Sequence, residues 1–233
     1  MPISFRPVPA LALAAALAAG AGPGIAAEFS FSGTFTDDDD VVVFDFVLGS
    51  AATVTLRSYS YAGGVQADGT VVAAGGVDPI LAIFVGTGAF IASQDDANDG
   101  VPTDPDTGAA YDVLLPVDLL AGDYTVSVSQ YDNFAAGSNF SDGFSQSGAT
   151  FTSAFNCSNG KFCDVTGSNR TNVFAFDILN VDSAGVGDGT TGGVDTGGGG
   201  GGGGEPSVVP VPAAGWLGLL AMGALGALRR RRG

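Results

Sequence analysis

Between residues 28 and 182 the chain alternates apolar and polar positions with a period of two, the pattern of strands that bury one face. Phe29 to Phe35 reads FSFSGTF. Val41 to Leu48 places Val42, Phe44 and Phe46 on one face, and in TVTLRSYSY Val54 and Leu56 oppose Thr53, Thr55 and Arg57. Pro79 to Val85, PILAIFV, is apolar throughout, which predicts a strand covered on both faces. Further strands are predicted at 89–93, 111–117, 123–131, 149–155 and 172–181, separated by clusters of Gly, Asn, Asp and Pro. No stretch there keeps a 3.6-residue period. Eight or nine strands at this spacing predict an all-β fold, a single β-sandwich or jelly roll.

Both ends break the pattern. At the N-terminus Arg6 precedes an apolar run from Ala10 to Ala19 and the small residues Gly24-Ile25-Ala26-Ala27. That layout predicts a secretory signal helix over residues 1–27, cut after Ala26 or Ala27; a buried N-terminal helix is the alternative. Residues 183–208 are a linker: 183–204 holds 13 glycines in 22 residues. Such a tether spans roughly 25 Å and lacks the apolar surface to fold. Residues 209–233 place Val209-Pro210-Val211-Pro212-Ala213 before an apolar helix from Ala213 to Leu228, with Trp216 near its start and Arg229, Arg230, Arg231 and Arg232 after it. The helix is about 24 Å long, slightly short of a hydrocarbon core, and the arginines should keep its end in the cytoplasm.

Composition narrows the partners. The segment 28–182 carries 20 Asp and one Glu against Arg57, Lys161 and Arg170, a formal charge of −18. No basic patch exists to displace counterions from phosphate, so nucleic acid is excluded as a partner. Such acidity suits solubility outside a cell, or divalent cations. Cys157 and Cys163, the two cysteines, stand in CSNGKFC. In an exported chain they predict a disulfide; a zinc site is the rival, and it would leave two ligands unaccounted for.

The tail resembles the PEP-CTERM class of bacterial sorting signals in its V-P-x-P-A form, carried here by Val209, Pro210, Pro212 and Ala213. The resemblance implies processing by an exosortase on the way to the surface of a Gram-negative cell that makes exopolysaccharide or biofilm matrix. A permanent membrane anchor is the alternative. The stretches GTFTDDDDVVVFDFVL, AATVTLRSY, GGVDPILAIFVGTGAFIASQDD and LLAGDYTVSVSQYDN, over roughly 31–133, resemble the bacterial pre-peptidase C-terminal (PPC) domain. That resemblance implies a small extracellular β-sandwich without catalysis of its own. Residues 131–171 depart from the family pattern. The implied function is a structural or adhesive protein of the cell surface or extracellular matrix. A carbohydrate- or calcium-binding module acting on exopolysaccharide is the alternative, and an aspartate-based hydrolase the remote one.

Candidate chemistry is sparse. The chain has no histidine, which removes His-based triads and metal sites. Asp106-Thr107-Gly108 and Asp195-Thr196-Gly197 repeat the aspartic-protease triplet, but neither follows an apolar strand that would desolvate a dyad. Asp95, Asp96, Asn98, Asp99, Asp104 and Asp106 fall within 12 residues of one loop, an oxygen-only set that suits Ca²⁺. Its spacing is not that of an EF-hand, and a solvated loop using these residues for turn geometry is the other reading. Tyr131, Phe134, Phe140 and Phe144 read either as a sugar-stacking platform or as rings covering a sandwich edge. Asp37 to Asp40 read as an acidic turn whose carboxylates stay in water while Phe44 and Phe46 enter the core; by alternation Asp38 and Asp40 could share a cation with the 95–106 loop.

Overall fold

The computed structural model describes residues 27–97 and 99–187, together with the backbone of 194–195 and 211–212. Numbered in chain order, the strands are β1 Ala27–Phe35, β2 Val41–Leu48, β3 Ala52–Ser58, β4 Gly64–Val65, β5 Val71–Val72, β6 Pro79–Val85, β7 Phe90–Gln94, β8 Leu114–Leu119, β9 Gly122–Gln130, β10 Val173–Val181, β11 Ser183–Val186, β12 Val194–Asp195 and β13 Val211–Pro212. They form two antiparallel sheets and a two-stranded ribbon, β4-β5. One sheet has the order β12-β1-β10-β3-β8, with β13 also on β1; the other has the order β11-β2-β9-β6-β7.

The alternating apolar residues meet between these sheets. Phe29, Phe31 and Phe35 of β1, Phe174 and Phe176 of β10, and Val54 and Leu56 of β3 share one core with Val42, Phe44 and Phe46 of β2 and with Leu81, Ile83, Val126 and Val128. Phe44 crosses to the opposite sheet, its ring 4.6 Å from Phe31 and 4.9 Å from Phe176. Each such ring contributes about 1.5–3 kcal/mol on leaving water. The sandwich expected from the periodicity is the fold.

β6 is buried on both faces, as its continuous apolar sequence predicts. Its inner face enters the core, and its outer face lies under residues 131–171. Phe140 packs on Phe84 at 5.3 Å, and the backbone NH groups of Phe90 and Phe140 donate to Ser138 and Gly88.

The ends of the sandwich differ. At one, the strands are joined by short turns at 49–51, 86–89 and 120–121, and by Asp182. At the other emerge all the long connections: 36–40, 59–78, 95–113 and 131–172. Fifteen of the twenty aspartates of 28–182 lie in those four connections, so the negative charge is concentrated at one end.

Three expectations need correction. Residues 149–155 are not a strand: Phe151–Phe155 is a 3₁₀ helix, ended by Asn156 in the left-handed conformation at φ 64°. Thr152 is tied by its NH and hydroxyl to Asp38, which holds the segment against β2's entry and away from any sheet edge. The linker does not begin at Ser183, because Ser183–Val186 pairs with β2 as β11. β8 begins at Leu114 rather than Tyr111, because Asp112 turns inward to bind the backbone of Tyr61 and Ala62. Among the described residues no helix is long and apolar enough to cross a membrane. The expected signal helix, Val209, Pro210, Ala213, Trp216 and Arg229 to Arg232 lie outside the described residues, and of Val211 and Pro212 only the backbone is described.

Candidate functional site

The aspartate run at the entry to β2 is an anchoring turn. Asp40 Oδ2 accepts from the NH groups of Thr36 at 2.8 Å and Asp37 at 2.9 Å, closing the turn on itself. Asp37 pairs with Lys161 at 2.8 Å, and Lys161 also donates to the carbonyl of Thr36. Asp38 is fully buried, and its Oδ2 accepts both the NH and the hydroxyl of Thr152. Asp39 accepts from the NH of Gly148 at 2.6 Å. Asp38 and Asp40 are therefore not in water: each serves as an acceptor that fastens either the turn or the 131–172 connection. One oxygen from each of Asp37, Asp39 and Asp40 lies within 4.8 Å of the others, but Lys161 and backbone NH groups already supply positive partners.

The loop residues selected from the sequence do not converge. Asp104 is buried and committed to Arg170, at 3.1 Å, with both side chains withdrawn from water. Its Oδ1 accepts from the NH groups of Asp106 and Thr107 and from the Thr107 hydroxyl. Burial pushes this carboxyl up, but Arg170 and Thr107 outweigh it and hold it below the usual carboxylate value. Arg170 also donates to the carbonyls of Gly76 and Tyr61 and lies 3.7 Å from the centre of the Tyr61 ring. Asp99 and Asp106 are exposed, and Asn98 lies outside the described residues.

Asp95 and Asp96 follow β7, whose Gln94 pairs with Leu81 of β6, and their charges act on a residue the loop reading did not include, Asp78. This aspartate opens β6, directly before Pro79, and is 2% exposed. Its Oδ1 is buried without a hydrogen-bond partner, and so is Oδ1 of Asp96. Burial, followed by the charges of Asp96, Asp95, Asp164 and Asp112, pushes the Asp78 carboxyl well above its ordinary value. Burial and neighbouring Asp95 push Asp96 up to about 6. Burial raises the phenols of Tyr111 and Tyr131; the charges of Asp96 and Asp78 add to it at Tyr111, and those of Asp132, Asp95, Asp78 and Asp96 at Tyr131. Gln130, paired with Pro79 across the ladder and fully buried, presents another unpartnered oxygen, Oε1.

The contrast with the other deep carboxylates is chemical. Asp164 accepts from the Tyr61 hydroxyl at 2.7 Å and from Thr166 and Ser168, and is held below its ordinary value although burial opposes this. Asp112 accepts from the Ser58 hydroxyl at 2.6 Å and from two backbone NH groups; burial still outweighs these donors and raises it. No such donor serves Oδ1 of Asp78. A buried carboxylate oxygen without a donor is among the costliest arrangements in a protein.

A sequence signal for Asp78 does exist. An aspartate placed next to a strand apolar on both faces has no solvent side to turn to.

The aromatic stretch covers a surface. Phe140 and Phe144 are half-buried and 6.1 Å apart, and Tyr131 packs on Phe134 at 5.8 Å and Phe155 at 6.1 Å. Cys157 and Cys163 are bonded, with Cα atoms 5.5 Å apart, and the NH of Cys163 donates to Thr152. The bond thus secures the segment that Asp38 fastens. No family profile, curated protein or solved structure matches the chain.

Proposed function

We propose that the chain is an exported, non-catalytic surface or extracellular-matrix protein: a PPC-like sandwich on a glycine tether, sorted by an exosortase acting on residues 209–233. The observation that carries this reading is the segregation of the acidic residues onto the long connections of one end of the sandwich. Lys161 is engaged by Asp37, both cysteines are bonded to each other, and the chain has no histidine. Without histidine the familiar His-based triads have no base. The acidic end supports a role in contact with cations and hydrated polymer rather than with nucleic acid. Phe140, packed on Phe84 of the sheet, and the half-buried Phe134 and Phe144 favour a covering role over a sugar platform.

The reading is tested by expressing the full chain in Gram-negative cells with and without an exosortase, followed by protease shaving and mass spectrometry of the termini. The expected result is a protein that begins near residue 27 or 28, is accessible outside the cell, and loses its tail only when the exosortase is present. A chain that keeps Met1 and stays in the cytoplasm overturns it.

A further inference from the structure

The described residues of the sandwich include three cationic side chains. Arg170 is held by Asp104, Lys161 by Asp37, and Arg57 lies 5.2 Å from the centre of the Tyr59 ring. None of the three is paired with Asp78, Asp95 or Asp96. Asp78 is fixed in place because the carbonyl beside its carboxylate accepts from the Tyr131 NH at 2.8 Å and its strand is buried on both faces. Asp95 and Asp96 are fixed by the end of β7, where Leu81 pairs with Gln94 and Gln94 accepts from the Leu114 NH. The antiparallel pairing of β6 with β7 sets Asp78 and the Asp95-Asp96 pair at the same end of that ladder, and Asp78 and Asp96 each hold a buried oxygen that no protein donor reaches.

We propose that Asp78 and Asp96, with Asp95 beside them, bind a divalent cation, and that the cation is Ca²⁺. No cation of the described residues is paired with these carboxylates, and an all-oxygen set of carboxylates selects a hard ion over zinc or copper. Ca²⁺ tolerates irregular, partly hydrated geometry, which suits a site with one deep carboxylate and two nearer the surface. Bound there, the ion joins the start of β6 to the end of β7 and the 95–113 connection. It thereby fixes the loop that carries Asp104, and through Asp104 the buried Arg170. The inference takes from the proposed function only the calcium-rich exterior in which such a site would fill. Binding to the purified protein does not depend on export, so the two readings can fail separately.

The test uses the purified full chain, stripped of metal and titrated with Ca²⁺ alone at pH 7.5 by calorimetry, with thermal unfolding as a second readout. The expected result is binding with Kd at or below about 1 mM, the range of extracellular calcium modules, and a Tm several degrees higher with Ca²⁺ than with chelator. Asp78→Asn and Asp96→Asn should each weaken binding roughly tenfold or more. Asp106→Asn and Asp39→Asn should leave it unchanged. Should Asp78→Asn fail to fold, Asp96→Asn decides the matter alone. No Ca²⁺ response overturns the proposal. So does an unchanged response in Asp96→Asn, loss of the response in Asp39→Asn, or Mg²⁺ binding as tightly as Ca²⁺.

Discussion

Asp104→Asn removes the charge from the most deeply buried ion pair of the sandwich while keeping the shape of the side chain. Arg170 would keep its bonds to the carbonyls of Gly76 and Tyr61 and its contact with the Tyr61 ring. It would lose its carboxylate partner, 3.1 Å away, in a site where its side chain is 3% exposed. Breaking a buried pair from one side costs about 3–5 kcal/mol, because the remaining charge stays buried. For a domain of this size, each kcal/mol lowers Tm by roughly 2–4 °C, so the variant should melt on the order of 10 °C below wild type. Urea unfolding followed by circular dichroism gives the same quantity at one temperature. The pH dependence has a definite sign. The folded carboxyl lies below its unfolded value of about 3.9, so its stabilisation is present above that pH and is lost as the pH falls through the folded value. The gap between wild type and Asp104→Asn should be full at pH 7 and shrink below about pH 4. A loss at pH 7 below about 1 kcal/mol, the worth of an exposed pair, would refute the assignment of Arg170 and Asp104 as a buried lock.

Three other perturbations probe the same end. A Cβ at Gly76 would stand 2.5 Å from the Ser60 carbonyl and 2.6 Å from that of Val173, both backbone; Gly76→Ala should cost about 1–3 kcal/mol in urea unfolding, and a neutral result would mean that 59–78 does not pack on β10 as described. Replacing both Cys157 and Cys163 by Ser opens a seven-residue loop worth roughly 2.4 kcal/mol on the chain-entropy account, so stability should fall by about that amount and more cleavage should appear at 148–163 in limited proteolysis. Thr152→Val withdraws the hydroxyl bond from the buried Asp38 carboxylate and should cost about 1.5–3 kcal/mol; in a double-mutant cycle with Asp38→Asn, absence of coupling would contradict the anchoring role of the aspartate turn.

The sandwich was legible because its strands bury one face. Val42, Phe44 and Phe46 announce β2 by alternation alone, and PILAIFV announces a strand covered twice. The covering layer was not legible, since 131–172 is held by long-range contacts such as Asp39 to Gly148 and Asp38 to Thr152, which join residues 109 and 114 positions apart. Alternation in 149–155 suggested a strand, but the pull of a distant carboxylate decided its form. The acidic residues show the same division. Runs of aspartate in a polar loop look alike in sequence, whether they are turn acceptors like Asp104 or unsatisfied groups like Asp96. What separates them is which NH groups the fold delivers, a property of tertiary structure. Asp78 was the exception, because its position beside a strand buried on both faces already implied its burial.

The most direct measurement is anomalous X-ray scattering from crystals of the protein grown with Ca²⁺. The account predicts an anomalous peak bonded to oxygens of Asp78 and Asp96 at 2.3–2.6 Å, the usual calcium–oxygen distance. No peak between these carboxylates, or a peak only at Asp37, Asp39 and Asp40, would contradict it.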